Sequence, residues 1–256
     1  MEHRVKVIDL FAGCGGFSVG FEKAGYDIVK AVEFDKEIAS SYCHNHHGTL
    51  MYAEDIGKIV DDEHFKRGEA EVIIGGPPCQ GFSMAGARIR EKNAFMNDPR
   101  NFLFKHYVNV VKLVRPRVFV FENVKGILSK DRGEIFQEIV SAFGNADNFD
   151  GDKYYVHFKL CKAVDFGIPQ RRERGILIGV LNHDFDIERV FEETKELIDS
   201  TEPTFFEPVS LSDAISDIPQ PTETGQTKLL PAHSEYQRKL RNRNGKISNH
   251  IATKHN

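Results

Sequence analysis

The residues best suited to chemistry lie in one segment, Glu71–Ser83, which reads EVIIGGPPCQGFS. An apolar, strand-like run leads into two glycines and two prolines, and the next residue is Cys79. The glycines allow a ligand to approach the backbone, and the prolines fix the chain just before the thiol. The pattern favours a presented nucleophile, because the thiolate is the reactive form of cysteine. A tight turn with an incidental cysteine is the alternative.

Two further polar motifs adjoin apolar runs. The segment Phe119–Val124 reads FVFENV, so a strand delivers Glu122 to the sheet edge where Cys79 is expected. Further along, Arg172 and Arg174 alternate just before another strand. In extended backbone they would point the same way. A surface charge run is the alternative interpretation of the two arginines.

A third motif, DLFAGCGGF, places Gly13, Gly15 and Gly16 between a strand and a helix. Such a turn brings backbone N–H groups and a helix N-terminus to an anionic group. Glu33 ends the next strand and could accept hydrogen bonds from ribose hydroxyls, and Asp55 could accept one from an adenine amino group. Because the spacing is not Gly-x-Gly-x-x-Gly, S-adenosylmethionine fits better than NAD.

These motifs require a scaffold that brings strand ends together. Apolar strands alternate with helical patterns, which predicts a doubly wound, mostly parallel α/β sheet of Rossmann-like type. In such sheets ligands bind beyond the carboxyl ends of the strands. The predicted strands are Val5–Leu10, Ile28–Val32, Glu71–Ile74, Arg117–Phe121 and Gly175–Leu181, and the predicted helices lie near Phe17–Ala24, Lys36–Tyr42, Asn101–Leu113, Gly133–Phe143 and Glu188–Ile198.

The composition of the chain changes after about residue 184, where charged residues dominate and prolines interrupt the sequence. We therefore expect residues 1–184 to form a catalytic and cofactor-binding domain, and residues 185–256 to form a linker and the start of a small domain. The stretch Lys228–Lys246 holds six Lys/Arg against one Glu. It is either a solvated tail or a surface near DNA or a partner.

The amino-acid composition excludes few functions, but it limits how the chain can contact nucleic acid and where in the cell it is expected. With a formal net charge of -4 over 256 residues, contact with nucleic acid must be local or supplied by a partner. Four cysteines without paired Cys-x-x-Cys spacing indicate a reducing, cytoplasmic location, and no apolar run is long enough to span a membrane. The cluster CHNHH at residues 43–47 is too crowded for one zinc site, so it is interpreted as a helix end and exposed loop, with no metal.

Taken together, the chain resembles the DNA cytosine-5 methyltransferases. The glycine turn, GGPPCQGFS, FENV and PQRRER resemble that family's motifs in its order, over roughly residues 5 to 181. The resemblance implies that Cys79 adds to C6 of a flipped cytosine and that Glu122 holds a proton at N3. It also implies that Arg174, with Arg172, binds the base O2, and that S-adenosylmethionine supplies the methyl group for C5.

The same resemblance implies a set of binding residues. Gln80, Ser83 and Asn123 would contact the DNA substrate. The cofactor pocket would be formed by Phe11, Gly13, Gly15, Gly16, Glu33, Phe34, Asp55, Ile56, Pro77 and Leu103.

The chain departs from the family after its middle. Neither a target-recognition domain nor the two final family motifs is found. We expect either one half of a split enzyme, completed by a second polypeptide that carries those parts, or a fragment of a longer protein. Two rival functions remain open: an RNA cytosine-5 methyltransferase on the same scaffold, and a non-catalytic S-adenosylmethionine-binding subunit.

Overall fold

A computed structural model describes residues 4–78, 103–128, 133–201, 209–222, 227–241, 246–247, 250 and 252. Contacts divide the chain into two units. The first consists of Met1–Cys161 with Glu173–Glu192, and the second of Lys162–Arg172 with Glu193–Asn256. The expected domain boundary after residue 184 stays a prediction about domain organisation.

The central sheet has seven strands in the order β3-β2-β1-β4-β5-β7-β6. Strands β1 to β5 pair in parallel, and β7 pairs antiparallel with β5. The predicted mostly parallel, doubly wound α/β sheet is therefore confirmed. The strands are β1 Lys6–Leu10, β2 Asp27–Val32, β3 Leu50–Tyr52, β4 Val72–Gly75, β5 Val118–Val124, β6 Tyr154–Lys162 and β7 Glu173–Leu181.

Helices connect the strands as the parallel pairing requires. The first-unit helices are α1 Gly16–Lys23, α2 Lys36–Asn45, α3 Leu103–Val114 and α4 Glu134–Gly144, and α5 spans Ile187–Thr201. The start of α2 illustrates local control by sequence, because the Asp35 carboxylate accepts hydrogen bonds from the N–H groups of Glu37 and Ile38. No helix among the residues described above is long and apolar enough to cross a membrane.

An aromatic cluster beneath β4 and β5 supports the edge of the sheet that carries the motifs. The rings of Phe119 and Phe143 stack with their centroids 4.0 Å apart. The buried Tyr107 on α3 donates its hydroxyl toward the carbonyls of Ile73, at 3.1 Å, and Val120, at 3.0 Å. Burial raises the pKa of Tyr107 well above its ordinary value. These contacts fix α3 against β4 and β5, and β5 carries Glu122.

Two predicted strand boundaries are corrected. Strand β5 extends to Val124, so Glu122 lies within the sheet, opposite Ile176, rather than after the strand. Strand β7 begins at Glu173, and the N–H of Arg172 bonds to the carbonyl of Gln170 at 2.9 Å. This tight turn breaks the extended backbone, so the alternation argument that paired Arg172 with Arg174 fails.

The second unit contains short elements held by polar contacts. Helix α6 spans Leu211–Ile215, α7 spans Glu235–Leu240, and the two-residue strands β8 Thr227–Lys228 and β9 Lys246–Ile247 pair antiparallel. The Arg241 guanidinium binds the buried Asp217 carboxylate with its Nη2 at 2.9 Å. A capping box formed by Ser234 and Gln237 begins α7.

Candidate active site

The carboxyl ends of β1 to β5 meet at one edge of the sheet, because these strands are parallel. A cavity of about 840 Å³ opens at this edge. It contains most of the predicted cofactor residues. The described residues that line it are Phe11, Val32, Glu33, Phe34, Ile38, Glu54, Asp55, Ile56, Gly57, Lys58, Gly76, Pro78, Leu103 and His106.

Glu33 is oriented by two backbone groups. Its Oε2 accepts a hydrogen bond from the N–H of Gly13 at 2.9 Å, and its Oε1 accepts one from the N–H of Asp35 at 3.0 Å. The glycine turn therefore acts on the cavity through Glu33, since Gly13, Gly15 and Gly16 are not among the residues that line it. A carboxylate fixed in this way is suited to accept hydrogen bonds from vicinal hydroxyls.

Phe11 occupies a strained backbone conformation beside the cavity. Its φ is 59°, in the left-handed region that non-glycine residues rarely adopt. Strain of this kind concentrates at ligand-binding sites, where the surrounding structure enforces it. Across the cavity, Phe34 is 72% exposed and presents a ring that a planar ligand could cover.

Asp55 begins a 3-10 turn at Ile56–Lys58. Its Oδ1 accepts a hydrogen bond from the N–H of Gly57 at 3.0 Å. Among the residues that the structure describes, no hydrogen bond to Oδ2 is present, so this oxygen can receive a ligand's amino group. Ile56 is 3% exposed and contributes an apolar wall.

The charges at the cavity favour a cation. Glu33, Glu54 and Asp55 bring three carboxylates, and Lys58 brings one ammonium that lies 3.2 Å from Glu54. The backbone N–H of Asp55, followed by Lys58, lowers the pKa of Glu54 from its ordinary value. Lys58 pairs with Glu54, and no other lysine among the described residues lines the cavity to pair with Glu33 or Asp55. The resulting negative charge suits a ligand that carries a positively charged sulfonium.

His46 lies behind the glycine turn and departs from the interpretation of residues 43–47 as a helix end and exposed loop, although α2 does end at Asn45 and the other four residues are exposed. His46 is 3% exposed, and its Nδ1 lies 3.0 Å from both carboxylate oxygens of Glu22. Gly15 has a φ of 90°, and a Cβ there would lie 2.0 Å from His46 Nε2, so only glycine fits. Within the described ranges, no group of three or more His, Cys, Asp or Glu could hold a metal ion.

Glu122 and Arg174 face each other across β5 and β7. Arg174 Nε lies 2.7 Å from Glu122 Oε1, and each side chain is about a quarter exposed. A Cβ on Gly76 would lie 2.9 Å from Glu122 Oε2, so the second glycine of the GGPPC motif leaves room for this carboxylate. The pair therefore lies directly beside the loop that leads to Cys79.

Asn123 and Pro77 have positions different from those expected. Asn123 is 2% exposed, and its Nδ2 donates to the carbonyl of Pro77 at 3.2 Å. Its burial conflicts with a substrate contact and gives it an anchoring role for the loop. Pro77 is also buried, and its neighbours Gly76 and Pro78 line the cavity instead.

Four predicted catalytic and substrate-binding residues stay predictions. Cys79, Gln80 and Ser83 lie outside the described residues, although Cys79 follows Pro78 directly. Arg172 is exposed and belongs to the second unit. Sequence reasoning also missed a residue of the lining, His106, whose signal was its spacing of three from Leu103 on one helix.

Comparison with known proteins identifies what this site is similar to. The model of the family described as C-5 cytosine-specific DNA methylase matches residues 5–256. Type II methyltransferase M.DdeI of Desulfomicrobium norvegicum is 36% identical over 98% of this chain and 58% of its own length. Type II methyltransferase M1.HphI of Haemophilus parahaemolyticus is 41% identical over 67% of this chain and 45% of its own. The chain thus spans about half the length of these curated relatives.

Solved structures support the same fold. A prophage-encoded protein of E. coli superposes with a TM-score of 0.64 at 27% identity, over 89% of this chain and 61% of that one. The Dnmt2 methyltransferase of S. pombe superposes with a TM-score of 0.54 at 23% identity, over 74% of this chain and 53% of that one. At that identity the second match shows the fold alone.

Proposed function

Because the chain belongs to the C-5 cytosine-specific DNA methylase family, we propose that it transfers a methyl group from S-adenosylmethionine to C5 of cytosine in DNA. One observation carries the proposal. The Glu122–Arg174 pair lies against Gly76, which also lines the cavity that contains Glu33 and Asp55. Gly76 is therefore next to the pair proposed to activate the base and also belongs to the cavity proposed to bind the nucleoside of the cofactor.

The residues present fit S-adenosylmethionine. Glu33 would accept hydrogen bonds from the ribose hydroxyls, Asp55 Oδ2 would accept from the adenine amino group, and Phe11 and Leu103 would pack on the adenine. The excess of carboxylates suits the cofactor's sulfonium. When bound, the cofactor supplies an electrophilic methyl group.

The chain's own residues would activate the base. The Cys79 thiolate forms a bond to C6 of cytosine, while Glu122 holds a proton at N3 and so disperses the charge that this addition creates. Arg174 orients the Glu122 carboxylate at 2.7 Å and donates to the base O2. Once C5 carries the methyl group, loss of the C5 proton and departure of the thiolate restore the ring. The base must be flipped out of the duplex, because C6 is inaccessible within the stack.

The proposal includes a second polypeptide that supplies target recognition. Large apolar side chains are exposed in the second unit, including Leu211 at 68% and Leu240 at 67%. Binding of another chain or domain over these side chains would remove their apolar surface from water. A cytoplasmic location belongs to the same proposal.

The test is methyl transfer from labelled S-adenosylmethionine to mixed-sequence duplex DNA, by the chain alone and with the product of the neighbouring downstream reading frame. We expect Cys79→Ser to abolish transfer while cofactor affinity is retained. The matched control is Cys43→Ser, which replaces an exposed cysteine on α2 and should remain active.

The outcomes separate the alternatives. Retained activity of Cys79→Ser would refute the covalent mechanism. Transfer to tRNA in place of duplex DNA would favour the RNA methyltransferase. Full activity of the chain alone would refute the need for a second polypeptide, and cofactor binding without transfer under either condition would favour a non-catalytic subunit.

A further inference from the structure

We propose that His106 contacts the adenine end of the bound cofactor and so contributes to the binding of both S-adenosylmethionine and S-adenosylhomocysteine, which carry the same adenosine group. The inference rests on the proposed function only in its choice of cofactor. It assigns a binding residue that none of the sequence motifs contains.

The position of His106 follows from the geometry of α3. His106 lies three residues after Leu103, so both project from one face of the helix, and both line the cavity. Gly57 lies next to the imidazole ring of His106. A Cβ on Gly57 would lie 3.1 Å from His106 Cε1, 3.3 Å from His106 Nε2 and 3.4 Å from Asp55 Oδ1. The imidazole and the Asp55 carboxylate therefore flank the same glycine.

The ring nitrogens of His106 are available to a ligand. Among the described residues, no hydrogen bond or ion pair to His106 is present. A polar ring that lines a cavity beside the carboxylate expected to bind the adenine amino group is placed to hydrogen-bond the same base.

The experiment is isothermal titration calorimetry of the full chain with S-adenosylmethionine and with S-adenosylhomocysteine. We expect His106→Ala to weaken the binding of both ligands by about fivefold, because a hydrogen bond to the adenine is lost. His106→Gln, which keeps a polar side chain, should retain more of the affinity. Circular dichroism verifies that the variants are folded.

Unchanged affinities for both ligands in His106→Ala would overturn the role of His106 while leaving the proposed function intact. Failure of the wild type to bind either ligand would refute the proposed function and this inference with it.

A double-mutant cycle tests the placement independently. Gly57→Ala introduces a methyl group against the imidazole and should weaken binding of both ligands by about threefold or more. In a His106→Ala background the same methyl keeps only its ordinary contact with Asp55 Oδ1, at 3.4 Å, and its effect should largely disappear. The control is Gly144→Ala, where a Cβ meets no atom within 4 Å. Strictly additive effects of the two changes would contradict the contact.

Discussion

The two glycines before Pro77 serve different contacts. A Cβ on Gly75 would lie 2.3 Å from the carbonyl oxygen of Leu10, so this glycine permits β1 and β4 to approach. A Cβ on Gly76 would instead meet the Glu122 carboxylate at 2.9 Å. The first glycine belongs to the scaffold, and the second belongs to the site.

Gly76→Ala is expected to lower kcat for methyl transfer by about tenfold or more, because the new methyl displaces Glu122 from Arg174. Cofactor affinity, measured separately by calorimetry, should change less than turnover. Gly144→Ala, at the end of α4, is the matched control and should behave as the wild type. An unchanged kcat in Gly76→Ala would show that the position of Glu122 is not critical.

At the scale of elements, Lys30 ties the segment that carries Asp55 to the sheet. Lys30 lies on β2 and is 6% exposed. Its ammonium contacts both carboxylate oxygens of Glu69, at 2.8 and 2.9 Å, and donates to the carbonyl of His64. It also lies 4.9 Å from the ring centroid of Phe65. The connection between β3 and β4 is thereby held against β2.

Lys30→Met should destabilise the protein by about 2–4 kcal/mol, because Glu69 and the His64 carbonyl lose their common donor in a largely buried site. Urea unfolding measures this loss, and Glu69→Gln added to Lys30→Met should cost little more. Lys105→Met is the control. Its ion pair with Glu138 is half exposed, so it should cost no more than about 1 kcal/mol. Equal losses of unfolding free energy in Lys30→Met and Lys105→Met would contradict this role of Lys30.

At the scale of the whole molecule, stability depends on a carboxyl buried in the first unit. Asp9 is 1% exposed, and its Oδ2 accepts a hydrogen bond from Ser18 Oγ at 2.7 Å. Ser18 Oγ lies 2.7 Å from Tyr42 Oη. Burial raises the pKa of Asp9 to about 7, although the hydrogen bond from Ser18 acts in the opposite direction.

The sign of the resulting pH dependence is unusual for an aspartate. Between its ordinary pKa of 3.8 and about 7, Asp9 holds a proton in the folded state but not in the unfolded state. The free energy of unfolding should therefore fall as the pH rises through this window, by at most about 4 kcal/mol from this group. Asp9→Asn removes the titration, so its unfolding free energy, measured by urea titration, should fall less over the same range. Identical slopes for the wild type and Asp9→Asn would refute the assignment.

The parts of the site that the sequence predicted depend on local rules. Alternating strands and helices predicted the parallel sheet, and turn chemistry located the glycine turn, Glu33, Asp55 and the GGPP segment at strand ends. Because the carboxyl ends of parallel strands share one edge, these residues could be brought together without knowledge of any side-chain contact.

Only the tertiary structure decided which side chains line the cavity at that edge and which are buried and hold the surrounding backbone in place. Asn123 is buried and anchors the loop through the Pro77 carbonyl, and His46 is buried behind the glycine turn. A tight turn separates Arg172 from the strand that holds Arg174. His106 entered the cavity through the packing of α3. Sequence spacing shows which residues share a helix face, but the direction in which that face points depends on contacts between residues far apart in the chain.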